Sequence, residues 1–181
     1  MPASRSTSRQ TFVYNIDELL AAHSSDYDLY VSLLDLLCRP YHAGASALLT
    51  RQEQWIVHTG EFMCLSCANG FDDQIYNVGF DSFRIAVEAL QEFGPSTFRD
   101  PAQRAMDLMR QHGIDPDSAA AQDAYRAVHD ASEQFRRELQ ELAFPLFSAD
   151  MRSLYGSAGH WLREHSGLFR LPERHYETVV G

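Results

Sequence analysis

Between Glu61 and Gly94 this chain stops and restarts a helix twice, and that punctuation constrains everything around it. The stretch reads EFMCLSCANGFDDQIYNVGFDSFRIAVEALQEFG. Asn69-Gly70 is a helix-ending pair, because glycine reaches positive φ without a Cβ clash. Phe71 follows at the turn itself. Asp72 and Asp73 then fall in the first turn of the next helix, where carboxylates meet the positive end of the dipole. Asn77 and Gly79 interrupt again, Asp81 or Ser82 caps FRIAVEALQEF, and Gly94-Pro95 closes it. Asn69, Gly70, Phe71, Tyr76 and Asn77 therefore set the directions of successive helices.

The flanking chain has the same character. Asn15-x-x-Glu18 is a capping box for IDELLAAH, and Ser25 with Asp28 opens DYDLYVSLLDLLCR, closed by Pro40. Thr50-x-x-Glu53 opens a helix reaching about Ala68, with Trp55, Ile56, Thr59, Phe62 and Met63 as its buried stripe. Asp100-Pro101 starts another, ending at Gly113. Tyr125, Val128, Ser132, Phe135, Leu139 and Leu142 step by three and four, which predicts one long amphipathic helix over 118–142. Ser148 or Asp150 starts a last helix, to about His165. The expected fold is all-α, a single-domain bundle of about seven helices with no significant sheet. Residues 1–12 read as a flexible tail, 13–169 as the helical domain and 170–181 as an irregular tail.

A chain of 181 residues that is 45% hydrophobic has enough apolar side chains for one core. No apolar run approaches the roughly 20 residues that cross a bilayer, so no membrane partner is expected. The N-terminus lacks the apolar segment of a secretory signal. Three cysteines do not make a disulfide framework, which points to a reducing cytoplasm. The net charge is −10, and the fifteen bases are all arginine. Most of the acid excess lies in residues 15–94. That argues against direct nucleic-acid binding and favours a basic protein partner.

Catalytic patterns are weak. Cys64-x-x-Cys67 sits at a predicted helix C-terminus, where the dipole opposes a thiolate, so the pair reads as small buried hydrophobes. His58-x-x-Glu61, joined by His160 and Glu164, would suit a helical metal site, the alternative being a metal-dependent enzyme. The expectation is instead a non-enzymatic binder without cofactor or metal. Its acids would come from Asp26, Asp28 and Asp35 on one helix, Asp72 and Asp73 at the junction, and Asp81, Glu88 and Glu92 beyond. Spaced carboxylates along helices resemble the phosphates that a basic groove receives.

Trp55, Asn69-Gly70-Phe71, Ile75-Tyr76-Asn77 and AVEALQEFG follow one another in an order that resembles the DNA-mimic-protein-nineteen family. These are small acidic helical bacterial proteins. WLREHSGLF is similar to the family's closing segment, and the likeness runs from about Tyr30 to Phe169. Asp73 stands where the family usually has Gln. The resemblance implies a homodimer whose surface acids occupy the DNA-binding site of a regulator. An immunity protein against a secreted toxin is the related possibility.

Overall fold

A computed structural model describes residues 6–180; residues 1–5, part of the predicted tail, and Gly181 lie outside them. The chain folds as helices α1 (Ile16–Ala22), α2 (Asp26–His42), α3 (Arg51–Glu61), α4 (Phe71–Asn77), α5 (Phe80–Phe93), α6 (Ser96–Gln111), α7 (Ala121–Ala131), α8 (Glu133–Ala143) and α9 (Met151–Glu164). Short 3₁₀ turns occupy Ser46–Leu48, Phe144–Ser148 and Ser166–Phe169. The all-α expectation holds, with more and shorter helices than the periodicity suggested.

Strand β1 (Ser6–Phe12) pairs antiparallel with β2 (Arg174–Val180), so the segments read as tails form a two-stranded ribbon. An isolated ribbon of this size is marginal in water. This one is fastened to the bundle at its base. Arg174 donates from both terminal nitrogens to Glu53, each at 2.6 Å, and reaches the Leu48 carbonyl at 2.7 Å. Its guanidinium lies 4.8 Å over the Phe12 ring, and the Tyr14 hydroxyl donates to the same carboxylate at 2.7 Å. Glu53 is fully buried and also completes the capping box with Thr50. Burial works against its charge. The bonds from Arg174, Tyr14 and Thr50 outweigh that and hold its carboxyl below the usual range.

Helix α3 is the axis of the bundle. Ile56, Val57, His58, Thr59 and Gly60 are all buried, with α2 on one side and α5 on the other. Beyond Glu61 it does not stop but widens into a π-turn over Phe62–Ser66, then closes with Cys67–Asn69. Gly70 (φ 102°) and Gly79 (φ 120°) then turn the chain at the two predicted junctions, in backbone space that side chains rarely occupy. Phe71 follows the first turn inward, 5.3 Å from Phe83 and 6.2 Å from Phe62. Helix α9 runs along α2 so closely that a Cβ on Gly159 would lie 1.9 Å from the Asp26 carbonyl oxygen.

Four boundaries differ from the sequence reading. Pro40 lies inside α2 rather than ending it; only two helical residues follow it, so the hydrogen bond it lacks and the crowding of its ring against the preceding turn fall at the helix end. Helix α6 begins at Ser96 behind Pro95 and carries Pro101 within it. Helix α5 is capped neither by Asp81 nor by Ser82; Gln122 of α7 accepts from the Phe80 N–H at 2.6 Å instead. The long helix over 118–142 breaks at Ser132, whose extended backbone and Oγ bond to Phe135 N start α8.

Candidate functional site

The junction region holds two polar clusters, one in the core and one at the surface. In the core, the π-turn rotates Ser66 inward, where its hydroxyl donates to Gln74 Oε1 at 2.8 Å. Gln74 donates to Ser82 Oγ at 2.9 Å, and Ser82 donates to Glu61 Oε2 at 2.7 Å. His58 Nδ1 lies 2.7 Å from the same carboxylate oxygen and 3.1 Å from Ser82 Oγ. The Tyr41 hydroxyl also reaches Glu61, and its ring meets the His58 ring edge-on at 5.3 Å. Burial opposes the Glu61 charge, but the bonds from His58, Ser82 and Tyr41 and the His58 charge keep its carboxyl below the usual range.

This cluster has serine, histidine and carboxylate, but not in relay geometry. A hydrolytic relay needs the serine and the carboxylate on opposite imidazole nitrogens. Here both meet Nδ1. The arrangement ties α2, α3, α4 and α5 together.

At the surface, α4 meets α7. The Tyr125 hydroxyl donates to Asp72, and His129 Nε2 lies 3.4 Å from the same carboxylate oxygen. Tyr76 sits 2.8 Å from His129 Nδ1 through its hydroxyl. Asp73 accepts from Asn69 at 2.8 Å and from Asn77 at 2.5 Å. The predicted pair Asp72 and Asp73 is therefore half-buried and held by its own neighbours, among them the exposed side chains of Asn69, Tyr76 and Asn77.

The remaining acids divide in two. Glu88 is half-buried and accepts from Arg51 (2.5 Å), Arg84 (2.8 Å) and the Trp55 indole (3.5 Å). Asp26 is likewise held by Arg163 at 2.5 Å. Asp35 and Asp81 are 72% and 82% exposed, each with a single helix-neighbour arginine, Arg39 and Arg84. Asp28 and Glu92 are exposed with no counter-ion among the described residues. Four of the eight candidate acids, Asp26, Asp72, Asp73 and Glu88, are thus tied to neighbouring side chains. Asp28, Asp35, Asp81 and Glu92 remain presented outward. Asp117, Asp123 and Glu133, which were not among the candidates, are exposed as well.

The histidine–glutamate pairs do not converge. His58 and Glu61 are inside the core, whereas His160 and Glu164 sit on the exposed face of α9, with Asp26 3.8 Å from His160. No group of three or more histidine, cysteine or acidic side chains suited to a metal ion occurs among the described residues. Cys38, Cys64 and Cys67 are all free thiols. Cys67 is buried, as expected, and burial pushes its thiol up to about 12, with Cys64 adding to the shift. Cys64 is exposed, contrary to the reading of both as buried hydrophobes, because the π-turn turns it outward. No described helix is long and apolar enough to cross a membrane. Compared with family profiles, curated proteins and solved structures, the chain matches none.

Proposed function

We propose that this chain is a non-enzymatic binding protein of a reducing cytoplasm that presents exposed carboxylates to a basic protein partner. The partner is a DNA-binding regulator or a nucleic-acid-directed toxin, and the binder acts as a homodimer. One observation carries the reading. Among the described residues, Asp28 and Glu92 are exposed without a counter-ion, and Asp35 and Asp81 are exposed with a surface arginine each. Exposed pairs contribute about 0–1 kcal/mol, so a partner's basic groove exchanges with them at little cost. An excess of ten negative charges steers such a partner inward. The likeness of Asn69-Gly70-Phe71 and its flanks to DNA-mimic proteins supports the same class of partner.

The test is a quadruple variant, Asp28→Asn, Asp35→Asn, Asp81→Asn and Glu92→Gln, used as bait beside the wild type in extract of the native host. Wild-type bait should retain a basic nucleic-acid-binding protein at low salt, release it as salt rises, and lose it to added duplex DNA. The variant should fold normally and retain much less. Equal retention by both baits at low salt would refute the reading. Light scattering of the wild type checks the dimer.

A further inference from the structure

The π-turn has a second consequence, on the side away from the polar cluster. It places Met63, Cys64 and Cys67 along one wall of a surface cavity of about 250 Å³. The facing wall comes from the 3₁₀ turn Phe144–Ser148 and the start of α9: Leu146, Phe147, Met151 and Tyr155 among them. Four sulfur side chains from two distant parts of the chain therefore share one cavity. Met63 and Cys67 are buried at its floor, while Cys64 and Met151 are exposed at its mouth. Met63 Sδ and Cys67 Sγ are already 4.0 Å apart.

The chemistry of this lining is selective. Among the described residues it contains no carboxylate and no imidazole, the side chains that calcium, magnesium and manganese favour. Zinc draws its sites from thiolate, imidazole and carboxylate, and here only two thiols qualify. Thioether together with thiol is the donor set of a soft monovalent ion. A metal–sulfur bond of about 2.3 Å at a trigonal angle sets ligand sulfurs about 4 Å apart. That matches the Met63–Cys67 separation. The apolar rim, with Phe147 and Met151 exposed, would shield a bound ion from water.

We propose that Met63, Cys64, Cys67 and Met151 form a site for a monovalent soft metal ion, Cu(I), and that its binding clamps the π-turn of α3 to the start of α9. Cys67 and Met63 supply the floor of the site, Cys64 closes it from the mouth, and Met151 joins from α9. The two thiols lose their protons to solvent as the ion enters, and the ion keeps its oxidation state. The site is independent of the acidic surface.

The experiment titrates the full-length protein anaerobically with Cu(I) against the chromophoric competitor bathocuproine disulfonate, with Zn(II) in parallel. Wild type should withdraw one equivalent of Cu(I) and retain no Zn(II). Cys64→Ser should abolish competition, and Met63→Leu should weaken it at least about tenfold, the least that removing even a group supporting a metal ligand costs. Met151→Leu should weaken it too, and Cys38→Ser should leave it unchanged. Cys64 is exposed and Met63→Leu conserves volume, so both variants keep their fold, verified by circular dichroism. Failure of the wild type to take Cu(I) from the competitor would overturn the proposal. So would equal Zn(II) retention, or Cu(I) binding indifferent to Met63→Leu and Met151→Leu, either of which denies the thioethers a role.

Discussion

Replacing Arg174 by Met removes a guanidinium from a carboxylate that has no access to water. Glu53 is 0% exposed and the Arg174 side chain 16% exposed, and the contact is bidentate. Deleting one partner of a buried pair costs about 3–5 kcal/mol, because the other charge stays behind unpaired. The low end applies here. Tyr14 and the Thr50 N–H still bond to Glu53, and methionine keeps the apolar contact with Phe12. A loss of about 3 kcal/mol is a large fraction of the roughly 5–15 kcal/mol that holds a domain together. Urea unfolding followed by circular dichroism gives the global value. Amide exchange in β1 and β2 gives the local one, expected to rise about a hundredfold if the ribbon detaches first. The pH dependence identifies the cause. The carboxyl of Glu53 is held below its unfolded value of about 4.3, so its stabilisation is complete above that value and lost as pH falls through the folded one. In Arg174→Met the unpaired carboxyl protonates more readily, so the gap from wild type should narrow as pH falls below about 4. A double-mutant cycle with Glu53→Gln should show coupling of about 1.5–3 kcal/mol. A loss under about 1 kcal/mol at pH 7, zero coupling, or a gap independent of pH would each refute the anchoring argument.

Gly159→Ala drives a Cβ into the Asp26 carbonyl and should destabilise by at least about 2 kcal/mol, whereas Gly156→Ala, with nothing within 4 Å, should raise the midpoint of thermal unfolding slightly. Glu61→Gln weakens the core network. It should lower stability at pH 7 by about 1–3 kcal/mol, and this deficit should shrink on acidification, because the wild-type carboxyl loses its contribution below the ordinary carboxylate range. Glu88→Gln, which loosens Arg51, Arg84 and Trp55, should cost about 1 kcal/mol. Glu92→Gln on the same helix should stay within about 0.5 kcal/mol in urea unfolding.

What the sequence made legible follows from how local the signals are. Thr50-x-x-Glu53, Asn15-x-x-Glu18 and Asp150 cap their helices through bonds spanning two or three residues, so composition alone places them. Gly70 and Gly79 work the same way, since positive φ is a property of one residue. The ribbon was not legible. STSRQTF and RHYETVV are separated by the whole domain, and what holds them is Arg174 reaching Glu53 and Leu48 more than 120 residues away. The cap of α5 likewise comes from Gln122, which no pattern around Phe80 contains. The π-turn has no signal in FMCLS that separates it from ordinary helix. It is a response to packing, and it decides which of Cys64 and Cys67 meets solvent.

The candidate site was legible as composition and not as placement, for a related reason. A carboxylate on a helix surface and one bonded across a helix junction look alike in a sequence. Asp72 and Asp73 are separated from Asp81 only by the tyrosine, histidine and asparagine side chains that reach them. Tyr125 and His129 reach from α7, so the fate of Asp72 is settled by a helix fifty residues downstream. Helix-face arithmetic puts Asp81, Glu88 and Glu92 on one stripe, but Arg51 from the neighbouring α3 folds over Glu88 and takes it out of that stripe. On the proposed function, an acid is available to a partner to the extent that no described side chain reaches it. By that criterion Asp28 and Glu92 outrank the junction acids, and charge removal at those two should weaken partner capture where Asp73→Asn only loosens Asn69 and Asn77.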